Sequence, residues 1–182
     1  MVLRRNCRNT REIVRYVQLW TGADIGMTEV SGNGGPPQLL KANEEDVPAV
    51  LATSIRKVLD DGARPEDIGL VFEDDDYATK QLVERLSSDI QRYLVQLNPL
   101  VVAHELTGRI LWGSAKRFKG LERPIVFAIA LNAHSVDLEE SQFYVAVTRA
   151  NYALYVVASP ERAARISADM ERNLTAVSIR GS

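Results

Sequence analysis

Four short apolar runs, rich in β-branched residues, constrain this chain most: Ile68 to Phe72, Arg109 to Ser114, Pro124 to Leu131 and Ala153 to Ala158. A strand with one wet face alternates apolar and polar residues. A nearly continuous apolar run instead needs cover on both faces, as in a parallel sheet sandwiched by helices. Helical patterns fall between the runs, so the chain reads as an α/β layered domain. In such folds ligands gather where strands give way to loops, and the segments that follow strands are the first place to look for chemistry.

The helices announce themselves by spacing and end signals. Asn9 with Glu12 reads as a capping box, after which Ile13, Tyr16, Val17 and Trp20 share one face. Asn43 precedes three acids suited to a helix start, then Val47, Val50, Leu51, Ile55, Val58 and Leu59 form a stripe that Gly62 ends. A third helix is expected from Asp76, burying Leu82, Val83 and Leu86. A fourth is expected over 138–149, and Ser159-Pro160 reads as the cap and first position of a last one. The stretch from Ser31 to Gln38, rich in glycine and proline, reads as a loop.

Bulk properties exclude several classes. At 182 residues, with 46% apolar and 25% charged, the chain suits one folded domain spanning 1–182. No run is long enough for a membrane span, and the N-terminus lacks a signal-peptide core. One cysteine, Cys7, rules out an internal disulfide, and no Cys/His cluster points to a metal site, so a reducing cytoplasmic setting is expected. A monomer is also expected. A net charge of −2 argues against a general polyanion binder but leaves room for a basic track on one face. His104 and His134 are isolated from other ligand types, and Trp20 and Trp112 read as core.

Three segments carry the functional argument. In the first, Arg8 stands where a short strand enters a helix, a poor place for a cation unless it meets an anion. In the second, Ser114 to Glu122 places Lys116, Arg117, Lys119 and Gly120 between two strands, where the cations and the Ser114 hydroxyl suit phosphates. In the third, Arg149 closes the apolar segment Phe143 to Val147 just before a strand; its planar fork suits phosphate oxygens, and it would equally suit a helix C-terminus. Alone, each has an ordinary surface or capping explanation.

In order, however, the three resemble motifs IV, V and VI of UvrD/Rep-like superfamily 1 DNA helicases. Asn6-Cys7-Arg8-Asn9-Thr10 is similar to Asn-Tyr-Arg-Ser-Thr. Lys119-Gly120-Leu121-Glu122 matches the Lys-Gly-Leu-Glu of motif V, and Tyr144 to Ala150 matches the Tyr-Val-Ala-x-Thr-Arg-Ala pattern of motif VI. The resemblance implies the second, C-terminal motor domain, a three-layer RecA-like fold of the P-loop NTPase type. It implies that Arg8 and Arg149 reach the γ-phosphate of ATP, bound with Mg2+ mainly by an N-terminal RecA-like domain of the same protein. It further implies that Glu122 meets the ribose, that Gly120 lets the loop approach the phosphates, and that Cys7 lies beside the adenine. Ser114, Lys116 and Lys119 would contact the backbone of single-stranded DNA.

No Gly-Lys-Ser/Thr phosphate loop is present, and Asp74-Asp75-Asp76 reads as a helix start, so this chain holds half of an ATPase site and is expected to be inactive alone. It departs from the family at Cys7, which has no aromatic face for a base. Lys116 replaces a usual histidine, and Arg123 an aromatic residue that bears on local packing. The interval from Ser87 to Gly113 is too short for the large helical insertion of UvrD and Rep, which favours translocation over strand separation. The alternative readings are a non-catalytic RecA-like domain that binds DNA or a protein partner, and an unrelated α/β nucleotide-binding protein. The sequence does not decide DNA against RNA.

Overall fold

The computed structural model describes residues 5–6, 9–23, 26–28, 34–73, 77–98, 106–131 and 137–180, without the side chains of 5–6, 27–28, 77, 137–141 and 176–180. Cys7, Arg8, Asp74 to Asp76, His104 and His134 lie outside the described residues. The chain runs β1 (Arg5–Asn6), α1 (Arg11–Thr21), β2 (Met27–Thr28), β3 (Gln38–Lys41), α2 (Val47–Asp60) and a 3-10 turn (Pro65–Asp67). It continues through β4 (Ile68–Phe72), α3 (Tyr77–Glu84), α4 (Ser88–Gln91), β5 (Leu94–Gln96) and β6 (Ile110–Ser114). It closes with β7 (Arg123–Ala130), α5 (Asp137–Val147), β8 (Ala150–Ala158) and α6 (Pro160–Arg180).

Six strands form one sheet in the order β3-β8-β7-β4-β6-β5, every pairing parallel. β1 and β2 pair separately, also in parallel. The expected α/β sandwich is therefore present, and the period-2 alternation of strands divides its core in two. Val71, Leu111, Val126, Ala128, Ala130, Leu154 and Val156 face α1, α5 and α6. Ile68, Leu70, Phe72, Ile110, Trp112, Ile125, Phe127 and Ile129 face α2, α3 and α4. Both faces are dry, which is why these strands read as continuous apolar runs. Trp20 and Trp112 are both buried.

Helix starts depart from the sequence expectations in two places. α1 is capped by Thr10, whose side chain accepts from the Ile13 amide, and not by Asn9. A hydroxyl suffices for that cap, and Asn9 is committed elsewhere. α2 begins at Val47, with Pro48 in its first turn, so the acids Glu44 to Asp46 form a preceding turn closed by Asn43. The Ser159 cap of α6 is as expected, its Oγ accepting from the Arg162 amide.

Because the sheet is parallel, it has a starting edge, where all strands begin, and an exit edge. Arg123 pairs with Ala150 at the starting edge, while Ser114 pairs with Phe72, and Phe72 with Ile129, near the exit edge. The two levels are about 20 Å apart, from roughly six residue steps along β7 at about 3.3 Å each.

Candidate functional site

The starting edge gathers residues from three parts of the chain. α5 ends at Val147, and Thr148 and Arg149 lead directly into β8. Arg149 folds back onto its helix end. Its Nε donates to the Val145 carbonyl at 3.0 Å and its Nη2 to Thr148 Oγ1 at 3.1 Å, leaving the side chain half-buried. A cation here also complements the carbonyl end of the helix. The Arg123 amide donates to the Arg149 carbonyl, tying β7 to the same turn.

Asn9 completes the arrangement. It is 2% exposed, and its Nδ2 donates to the carbonyls of Thr148 (3.2 Å) and Ala150 (2.5 Å), one on each side of Arg149. One buried amide thus joins segments about 140 residues apart in sequence. Sequence reasoning assigned Asn9 to a cap because asparagine is good at both tasks. Only the tertiary partners separate the two. Arg8 and Cys7 lie outside the described residues, but they adjoin Asn9 in the chain.

Gly34 packs against this corner. A Cβ on it would stand 2.2 Å from the Tyr152 carbonyl and 3.0 Å from Thr10 Cγ2, so no other residue fits without displacement. The loop read from composition therefore has one position fixed by close approach.

The basic turn begins at the exit edge, and the chain then leads back to the starting edge. β6 ends at Ser114, which is 4% exposed, and its carbonyl accepts from the amides of Arg117 and Phe118. The Ala115 amide donates to Phe72, holding the turn on the exit edge. Phe118 is fully buried and anchors the turn, while Lys116, Arg117 and Lys119 are exposed. Arg117 donates to the Leu97 carbonyl. Gly120 adopts φ +89°, a left-handed conformation in which a side chain is strained. From there Glu122, half-buried, leads to Arg123 at the starting edge. Sequence expectation looked to strand exits; Ser114 and Lys116 are there, whereas Arg149 precedes its strand and lies on the opposite edge.

Residues 113–157, which contain both the basic turn and the arginine corner, match the family model described as the UvrD-like helicase C-terminal domain. Over that segment the chain is similar to UvrD-like helicase C-terminal domains. Its architecture is similar to the crystal structure of the C-terminal domain of a possible DNA helicase from Lactobacillus plantarum WCFS1. The TM-score is 0.57 at 17% identity, over 91% of this chain and 96% of that one, a likeness of fold. No curated protein sequence matches the chain.

At the starting edge the Arg123 side chain is accommodated by a small neighbour. A Cβ on Gly69 would lie 3.2 Å from Arg123 Cγ and 3.3 Å from Phe118, so the bare glycine leaves room for both. Burial lowers the pKa of the Arg123 guanidinium from its usual value, and Asp67 opposes that shift. Its Nη1 donates to the Glu122 carbonyl, and its Nε has no hydrogen-bond partner among the described residues. Among the described residues no group of three metal-ligating side chains is placed to hold a metal ion, and no helix is long and apolar enough to cross a membrane.

Proposed function

We propose that this is the second motor domain of an ATP-dependent DNA helicase or translocase, completing an ATP site whose phosphate loop belongs to an N-terminal domain of the same protein. The observation that carries this reading is the Asn9 bridge. It holds Asn9 against the carbonyls on both sides of Arg149, so a segment from near the N-terminus meets the Arg149 turn at the starting edge. A guanidinium held at such an edge suits an anionic group presented by a neighbouring domain.

In this reading Arg149 and Arg8 stabilise charge on the transferring phosphoryl group, a contribution of roughly 10³–10⁵ in rate for an arginine of this kind. Arg149 would exchange its bonds to Val145 and Thr148 for phosphate oxygens. Glu122 reaches the ribose, and Gly120 brings the loop backbone near the phosphates. Mg2+ would be held with ATP by the N-terminal domain, where it would supply neutralising charge to the phosphates. Single-stranded DNA runs along the basic turn, with its backbone on the exposed Lys116 and Lys119. The burial of Ser114 gives it a smaller share of that contact. ATP binding at one edge and DNA at the other would make domain closure an alternating grip on one strand.

The test is ATP turnover by a protein carrying both motor domains, with and without single-stranded DNA. Arg149→Ala should reduce DNA-stimulated turnover by about 10³-fold or more, with DNA binding retained. Undiminished turnover would refute the assignment. The isolated 182-residue chain should show none.

A further inference from the structure

We infer that the groove beside Tyr152, on the α2 side of the starting edge, receives the base of the nucleotide whose phosphates meet Arg149. The inference rests on the functional reading above and assigns its base-binding subsite. The groove, of about 470 Å³, is lined by Pro124, Ile125, Tyr152, Ala153, Tyr155 and Asp61, among others.

Three observations favour a flat, amine-bearing occupant. First, the β7–β8 register slips immediately after Arg149: Arg123 pairs with Ala150, but Ile125 pairs with Ala153. The extra residue in β8 is a bulge, a device that re-aims side chains beside functional sites. Here it leaves Tyr152 52% exposed, three residues from Arg149 and about 10 Å along the strand. Second, exposed tyrosine offers a base a large apolar face at little entropic cost, and Tyr155 below it is held rigid by stacking on Phe127, centroids 4.6 Å apart. Third, the exposed Asp61 carboxylate on the rim accepts hydrogen bonds only, as an exocyclic amine requires.

The sequence of β8 alone gives no sign of this. Tyr152 falls in an alternating position of a strand, and its outward aim comes from the bulge.

The experiment uses the two-domain protein and three probes: ATP, inosine triphosphate and inorganic tripolyphosphate as competitor. Tyr152→Ala should raise KM for ATP about tenfold, the scale of losing one base–aromatic stack. Tyr152→Phe should restore it to within about twofold, and tripolyphosphate should inhibit wild type and variant alike. Asp61→Asn should weaken ATP more than inosine triphosphate, which lacks the exocyclic amine. Unchanged KM for ATP in Tyr152→Ala overturns the proposal. So does equal weakening of ATP and tripolyphosphate, and so does separation of the two domains, which would make the groove a protein-docking surface. The parent reading fails separately, if Arg149→Ala keeps wild-type turnover whatever Tyr152 does.

Discussion

The two edges of the sheet are built in opposite ways. The exit-edge turn from Ser114 to Gly120 is local: its carbonyls and amides bond to one another, and Phe118 pins it to the core. The starting-edge corner is assembled from distance: Asn9 from the N-terminus, Gly34 from a loop, and Thr148 to Tyr152 from the C-terminal third. A phosphate backbone needs only cations along a surface. A reacting phosphoryl group needs donors held in place. The difference teaches that the local turn can tolerate change, whereas the corner is over-determined.

Breaking the buried ion pair at the exit edge should have the largest effect on stability. Arg162 and Glu73 form a buried ion pair at 3.2 Å, their side chains 3% and 6% exposed, and the guanidinium also covers the Phe143 ring in α5. Removing Arg162 takes the buried guanidinium away from the Glu73 carboxylate. Arg162→Ala should therefore cost about 3–5 kcal/mol, read by denaturant unfolding of the domain, with Arg162→Met/Glu73→Leu recovering much of it.

Next, Gly34→Ala would place a methyl group against the Tyr152 carbonyl. A loss of about 1–3 kcal/mol is expected, with turnover falling further than stability explains. Asn9→Ala leaves two buried carbonyls without this donor and should cost about 1–3 kcal/mol. A matching change at Lys116 should leave stability within about 0.5 kcal/mol while weakening DNA binding at low salt. Equal tolerance at both edges would erase the contrast.

The smallest effect is acid sensitivity. Asp67 beside the Arg64 guanidinium, and Asp89 beside Arg56, are held below the usual carboxylate range. A depressed folded pKa contributes stability fully above the unfolded value, near pH 4, and loses it as pH falls through the folded one. Both pairs are at least partly exposed, so the slope below about pH 4 should be slight and weakened further by salt. A stability drop between pH 6 and 8 would need another cause.

Much of the fold was legible because burial on both faces left its mark on β4, β6, β7 and β8. The sheet's outer strands were not read. Gln38–Lys41 and Leu94–Gln96 are short, half-exposed edges with only two apolar residues each, too few to leave a run like those of the inner strands. At the site, Lys119 to Glu122 and Tyr144 to Ala150 were legible as ordered motifs. The Asn9 bridge and the Tyr152 bulge were not, since both depend on partners that only the folded sheet brings near. The Gly120 turn was legible as a glycine, though the left-handed conformation behind it was not.

The most direct test is amide hydrogen exchange in the two-domain protein, measured with a non-hydrolysable ATP analogue and, separately, with single-stranded DNA. Nucleotide should slow exchange in the segment from Thr148 to Tyr152 and around Asn9, while DNA should slow it from Ala115 to Lys119. Protection of the basic turn by nucleotide, with the Arg149 corner unchanged, would contradict the assignment of the two edges.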